Sequence, residues 1–217
     1  MGRSGLDPYP SSPEVSRDRR VIPTLTTVSS VVIFVVVAVL AVALVLYAVA
    51  TFNKLVRQRN QVESSWAQID VQLRRRHDLI PNLVETVKGY AAHERQTLEA
   101  VVAARQGAVE AQQSGAAPGQ QAQQENVLTQ ALGRLFALAE AYPDLKANQN
   151  FLQLQGELVS TEDKIAYARQ FFNTAVQTLN TSVESVPSNI VAGVAGIKKH
   201  EYFEAAGDER GPVGVRF

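Results

Sequence analysis

Cysteine is absent from this chain of 217 residues. Without a thiol, the chain has no means of forming a disulfide, a thiolate metal site or a cysteine nucleophile. An excess of basic residues is also missing, since 21 Lys and Arg balance 21 Asp and Glu. A general nucleic-acid binder needs such an excess to neutralise phosphates. The composition therefore excludes thiol chemistry and argues against nucleic acid as a partner.

Charge is missing from one long stretch as well. No charged residue lies between Arg20 and Lys54, and Val31–Ala50 has no polar face of the kind that a soluble core helix requires. About 20 helical residues cross the ~30 Å hydrocarbon core of a bilayer. We therefore predict a transmembrane anchor over residues 24–50, whose span contacts lipid from Val31 to Ala50.

A cleavable signal peptide is the alternative to an anchor. A basic region with Arg17, Arg19 and Arg20 precedes the apolar run, and Ala48–Ala50 resembles a cleavage site. The apolar run is longer than the usual ~7–15 residues, and no helix breaker precedes the site. These features favour an uncleaved, single-pass anchor in the inner or plasma membrane.

Basic residues flank the span on both sides. Before it come Arg17, Arg19 and Arg20, and after it come Lys54, Arg57 and Arg59. The positive-inside rule counts such residues near the span ends. The two sides nearly balance, so the orientation stays open, with a slight preference for a cytoplasmic C-terminal domain.

Glycine and proline are absent from Thr24 to Ile80, so a helix can leave the membrane without interruption. The remaining chain is rich in Ala, Gln, Glu, Leu and Val, which is typical of an all-α domain. We predict a helical bundle over residues 51–197. Residues 1–23 are predicted to be a disordered tail, and residues 198–217 an extended tail.

Seven-residue spacing indicates helix packing in two segments. The first segment has two apolar columns, which Arg59 and Arg76 interrupt: Leu55, Val62 and Ile69, and Phe52, Trp66, Leu73 and Ile80. The second segment has one strict column: Phe151, Leu158, Ile165, Phe172, Leu179 and Val186. We expect Phe172 to be fully buried.

Helix breakers divide the rest of the chain. Pro81 predicts a break or kink at about Asp78–Pro81, followed by a second helix to about Gln113. Gln112–Gln124 reads as a flexible connector, and a third helix is expected over Glu125–Tyr142. With the fourth helix from Phe151, the sequence predicts an antiparallel four-helix bundle that continues the transmembrane helix.

Motifs for catalysis and metal binding are absent from the sequence. None of the three histidines belongs to a Glu-x-x-His or His-Glu-x-x-His pattern, and no nucleophile elbow or phosphate-binding loop occurs. We interpret His77, His93 and His200 as ordinary polar or half-buried residues. The sequence predicts a protein that is not an enzyme, with no cofactor, metal or small-molecule substrate.

Two places are candidate interaction surfaces. The first is the connector Ala141–Phe151, whose polar residues either cap helices or form a recognition surface: Tyr142, Asp144, Lys146, Asn148 and Asn150. The second comprises Arg74 and Arg75, which with Arg76 suggest an anionic partner. Successive helical side chains fan apart, however. The alternative for this triplet is a solvated face with pairs such as Arg74–Asp78.

The stretch Asn60–Tyr90 resembles the signature of the bacterial LemA family. Further matches cover residues to Glu204: Ala131–Arg134, Tyr142–Phe151, Thr161–Ile165, Pro187–Gly193 and Tyr202–Glu204. The resemblance extends over about residues 45–217, although His77 stands where a tyrosine is common. It implies a single-pass membrane protein with a helical-bundle domain and no assigned catalytic residues.

Our leading hypothesis is a membrane-anchored, non-enzymatic helical scaffold that binds a protein partner or forms a homo-oligomer. It rests on the uninterrupted first helix, the long apolar columns and the missing catalytic motifs. The alternative is a regulatory subunit of a membrane enzyme, such as a protease or transporter. The tail ending at Phe217 either packs on the bundle or engages a partner.

Overall fold

The computed structural model describes residues 22–204, with side chains from residue 29 onward. All regular secondary structure in this part of the chain is helical, which confirms the all-α prediction. The helices, in chain order, are α1 (Ile22–Lys88), α2 (Arg95–Gln113), α3 (Pro118–Ala139), α4 (Pro143–Lys146), α5 (Gln149–Glu184) and α6 (Ser188–Ala195).

The chain divides into two compact units, Met1–Val49 and Ala50–Phe217. In the described part of the first unit, α1 exposes every large apolar side chain from Val31 to Val49. This is the one helix among the described residues that is long and apolar enough to cross a membrane. The second unit contains the rest of α1 and the other helices.

The sequence predicts a break or a kink at Asp78–Pro81. Helix α1 continues through Pro81 to Lys88, so the break is wrong. Proline has no backbone N–H, and the carbonyl four residues earlier, that of His77, therefore loses its helical donor. Arg105 on α2 replaces that donor, because its Nε–H donates to the His77 carbonyl at 2.7 Å. A tertiary contact thus satisfies the bond that Pro81 removes.

The predicted flexible connector Gln112–Gln124 is also wrong for most of its length. Helix α3 already begins at Pro118, and only residues 114–117 separate it from α2. Proline suits the first turn of a helix, where its missing N–H has no partner to lose, and the Gln and Ala that follow favour helix. Gly115 makes the turn with a φ of 64°, in the left-handed region.

The long helices α1, α2, α3 and α5 pack around two apolar clusters. One cluster contains residues of α1, α2, α3, α4 and α5: Ile80, Leu83, Val87, Val101, Leu128, Leu135, Leu145 and Phe151, among others. The other contains residues of α1, α3, α5, α6 and the segment after α6: Leu55, Val62, Ile69, Leu73, Ala122, Phe172, Leu179, Ala192 and Phe203, among others.

The fourth predicted helix corresponds to α5, and its apolar column is buried from Phe151 to Leu179. Phe172 is 2% exposed, which confirms its predicted burial. Val186 is 79% exposed, so its predicted inward position is wrong. The reason is that α5 ends at Glu184, and the seven-residue pattern no longer applies beyond it. Phe52, at the start of the α1 columns, is likewise 44% exposed.

Helix α5 runs antiparallel to the part of α1 in the second unit. The rings of Trp66 and Phe172 lie 5.2 Å apart, whereas Arg75, further along α1, pairs with the earlier residue Glu157 at 3.8 Å. Higher residue numbers on α1 therefore lie level with lower numbers on α5. This register fixes which residues share a level of the bundle.

The segment after α6 follows α5 without forming a helix. Asn180 donates to the His200 carbonyl and accepts from the His200 N–H, both at 2.9 Å. Asn173 accepts from the Phe203 N–H at 2.9 Å, and the buried Phe203 ring lies 5.6 Å from Trp66. Of the two predicted tails, residues 1–21 and 205–217 lie outside the described residues.

The two neighbouring phenylalanines of α5 provide a matched test of this packing. We expect Phe172→Ala to lower the free energy of unfolding by about 3–5 kcal/mol, because it removes a ring from the core. Phe171→Ala, at a 48% exposed position, should change it by no more than about 0.5 kcal/mol. Urea denaturation in detergent, followed by Trp66 fluorescence, measures both. A loss below about 1 kcal/mol for Phe172→Ala would contradict the packing of α5.

The contact between Arg105 and the His77 carbonyl can be tested with a double-mutant cycle. Arg105→Met should destabilise the protein by about 1–3 kcal/mol, because the carbonyl is left without a donor. In a Pro81→Ala background the restored backbone N–H supplies that donor, and the same substitution should cost about 1 kcal/mol less. Equal costs in the two backgrounds, again by urea denaturation, would show that Arg105 does not compensate for Pro81.

Candidate functional site

A layer of buried polar side chains separates the two apolar clusters. On α1, Arg76 and His77 lie between Leu73 of one cluster and Ile80 of the other. Glu125 on α3 lies between Ala122 and Leu128 in the same way. Glu162 on α5, between Leu158 and Ile165, is 49% exposed and borders the layer at the surface. The buried polar residues therefore interrupt the core at one level of α1 and α3.

Glu125 is the centre of this layer. Its Oε2 accepts from Arg76 Nη1 at 3.1 Å, and its Oε1 accepts from His77 Nε2–H at 2.7 Å. The exposed fractions are 4% for Arg76, 3% for His77 and 6% for Glu125. Both carboxylate oxygens are thus engaged by donors from neighbouring residues of α1.

Arg76 extends the layer to α5. Its Nη2 donates to Thr129 Oγ1 at 2.7 Å and lies 3.4 Å from Glu162 Oε2. A buried charge is costly unless it is paired and hydrogen-bonded. Because these bonds require one relative position of α1, α3 and α5, we infer that the layer fixes how these helices align.

The interpretation of the arginine triplet as a solvated face is wrong for Arg76. Arg76 continues the inward series of Leu55, Val62 and Ile69, and this signal predicts burial. His77 is buried rather than half-buried. Arg74 and Arg75 are exposed, as that interpretation expected, but Arg74 pairs with Asp70 and not with Asp78. No pattern in the sequence indicated that Glu125 would face Arg76 and His77.

Three of the five candidate connector residues line a shallow depression of about 500 Å³. Asp144, Asn148 and Asn150 line it together with Tyr90, whereas Arg74 and Arg75 are not among its lining residues. Asn148 caps α5, because its Oδ1 accepts from the Phe151 N–H at 3.0 Å, and its Nδ2 donates to the Tyr90 hydroxyl at 2.9 Å. The capping interpretation is therefore confirmed for Asn148.

Two other connector residues pair with neighbouring carboxylates. Lys146 forms an ion pair with Glu140. The Tyr142 hydroxyl donates to Glu94 Oε1 at 3.1 Å, and this hydrogen bond raises the pKa of the Tyr142 phenol above its ordinary value. Tyr142 therefore ionises at a higher pH than a free tyrosine does. Neither residue lines the depression.

An open groove between α1 and α5 was not predicted. It has a volume of about 730 Å³ and is lined mainly by Val71 and Gln72 on α1 and by Tyr167, Ala168 and Phe171 on α5. Val71 is 59% exposed and Tyr167 is 74% exposed. Val71, Tyr167 and Phe171 lie outside the seven-residue columns. Large apolar residues outside such columns are the signal that could have revealed the groove.

The described part of the chain contains no cluster of side chains that could bind a metal ion. Among residues 29–204, no three His, Asp or Glu side chains group in a way that could hold a metal ion. His77, the buried histidine, is occupied with Glu125. The arrangement that these residues do form is a buried charge layer that joins α1 to α3.

The fold and these surfaces define a class of helical-bundle proteins with a candidate N-terminal membrane span. The model of the LemA family matches residues 65–217, and the chain belongs to that family. Magnetosome protein MamQ 1 of Paramagnetospirillum magneticum AMB-1 is 28% identical over 198 residues, which cover 80% of this chain and 73% of that protein.

Two further relatives show the same breadth of similarity. Magnetosome protein MamQ of Magnetospirillum gryphiswaldense MSR-1 is 27% identical, over 77% of this chain and 70% of its own. Protein LemA of Metamycoplasma hominis is 25% identical, over 73% of this chain and 71% of its own. The resemblance seen in the sequence motifs is thereby confirmed.

The buried charge layer predicts unequal effects for adjacent arginines. Arg76→Met should destabilise the protein by about 3–5 kcal/mol, because Glu125 keeps its burial but loses its cationic partner. Arg75→Met removes an exposed pair with Glu157 and should cost no more than about 1 kcal/mol.

Urea denaturation measures both arginine variants, and the double variant Arg76→Met/Glu125→Leu should recover part of the loss. Similar costs for the two single variants would contradict a structural role of the layer.

Proposed function

We propose that the protein is a non-enzymatic interaction protein, anchored in the cell membrane, that acts by binding a protein partner or by self-assembly. The anchor is the apolar part of α1, with its span from Val31 to Ala50. The basic residues after the span lie closer to its end than those before it lie to its start, which slightly favours a cytoplasmic bundle.

The observation that carries this proposal is the groove between α1 and α5. Val71, Tyr167 and Phe171 expose apolar surface together in one concave site. Contiguous exposed apolar surface marks interaction sites, because its removal from water stabilises a complex. Gln72 also lines the groove, and its Oε1 is buried without a hydrogen-bond partner among the described residues.

The ionisable groups in the core support the same proposal. Arg76 and His77 both donate hydrogen bonds to Glu125, so the ionisable groups of the charge layer have partners within the layer. Such a layer holds the bundle in one arrangement, and a fixed scaffold presents its surface side chains in a fixed pattern. The named magnetosome relatives cover most of the bundle at low identity, which is compatible with a shared scaffold and divergent surfaces.

The proposal is tested by placing a photo-reactive amino acid in the groove. We expect the substitution of Tyr167 by p-benzoylphenylalanine in native membranes to give a discrete cross-linked protein after irradiation. The matched control is the same substitution at Gln96, an exposed residue of α2 outside the groove. Phe171→Ala in the Tyr167 variant should abolish the cross-link, because it removes an exposed apolar contact while the fold is retained.

Mass spectrometry of the product separates the forms of the proposal. A second copy of the chain indicates self-assembly, and a different protein indicates partner binding. A membrane protease or transporter as the cross-linked protein would indicate the regulatory-subunit alternative. Identical products from Tyr167 and Gln96, or none from either, would contradict the groove as an interaction site.

A further inference from the structure

Helix α6 exposes two large apolar side chains on one face, Ile190 and Val194, which are four residues apart and 65% and 90% exposed. A third, Val186, lies just before the helix and is 79% exposed. Residues four apart lie on one side of a helix. Ala192, on the other side, is buried in the core. We call the exposed set the α6 stripe.

The α6 stripe lies at the end of the bundle where α1 enters the second unit. The antiparallel register of α1 and α5, set by Trp66–Phe172 and Arg75–Glu157, brings the end of α5 level with the region of Lys54. Leu55 and Ala192 also belong to the same buried cluster. Lys54 is the first charged residue after the apolar run.

Basic residues follow the stripe directly. Lys198 and Lys199 come immediately after the turn at Gly196, and both are exposed. Lys199 pairs with Glu184 at the end of α5, which orients it beside the same turn. Buried apolar area and nearby basic residues each strengthen the binding of a protein surface to a bilayer with anionic lipids.

We propose that the α6 stripe inserts into the lipid surface, so that the protein contacts the bilayer at a second site beyond its span. The inserted side chains are Val186, Ile190 and Val194. Lys198 faces the anionic headgroups, next to Lys199, which pairs with Glu184. This inference deepens the proposed function and rests on its membrane anchoring. A lipid surface accounts both for the exposed apolar residues and for the position of α6 at the entry of α1.

The test uses the full chain in nanodiscs of phosphatidylcholine and phosphatidylglycerol, which leave both membrane faces open to solvent. Because the chain has no cysteine, a single introduced cysteine can be labelled with the environment-sensitive fluorophore NBD. The variants are Val194→Cys and, as a matched control, Val159→Cys at an exposed valine of α5. Leu40→Cys within the apolar run reports on the anchor itself.

We expect a nitroxide-bearing lipid to quench the label at position 194 about five-fold more strongly than the label at 159, with the opposite order for aqueous iodide. Adding Ile190→Ser to the Val194→Cys variant should remove most of that difference. Ile190 is exposed, so this substitution leaves the core intact.

Each other outcome has a distinct meaning. Equal iodide quenching at 194 and 159, with lipid quenching at 40, overturns the insertion of α6 and leaves the anchor in place. Protection of 194 from both quenchers shows that protein covers the stripe, which also overturns it. Absence of lipid quenching at 40 contradicts the membrane anchoring of the proposed function.

Discussion

One buried ion pair, that between Arg76 and Glu125, joins α1 to α3 inside the second unit, and we infer that the alignment of the helices depends on it. The two side chains are almost fully enclosed, and neither can be solvated by water if the other moves away. His77 also contacts Glu125, and Thr129 and Glu162 also contact Arg76. Apolar packing tolerates small slips between helices, whereas this set of directional bonds does not. The layer therefore selects one alignment of helices that the two apolar clusters alone would leave less sharply defined.

The same level of the bundle contains the one proline inside α1. Pro81 deprives the His77 carbonyl of its helical donor, and Arg105 replaces that donor from α2. The ring of His77 reaches α3 while its carbonyl reaches α2, so one residue links three helices. A proline that would break an isolated helix is thus accommodated by the surrounding structure, because a tertiary hydrogen bond replaces a local one.

Inside the bundle, the ionisable side chains of the charge layer pair with one another. The apolar side chains that nothing in the bundle covers lie at its surface. The groove beside Tyr167 and the α6 stripe both expose apolar side chains, but at different levels of the bundle. We relate the first to a protein partner and the second to lipid, since only the second lies where the chain enters from its apolar run. A fixed interior and localised, exposed apolar surfaces are the properties expected of a protein that acts by binding other molecules.

The sequence by itself determined the all-α class, the apolar run and most of the buried column of α5, because helical periodicity and hydrophobicity are local properties. It offered helix capping as one of two interpretations of the connector residues, and the structure shows such a cap at Asn148. Tertiary structure alone decided that α1 continues through Pro81, because the compensating Arg105 is distant in sequence. It alone decided that Arg76 meets Glu125, since a charge at an inward position shows burial but not its partner. The exposure of Val186 likewise depended on where α5 ends and on what packs there.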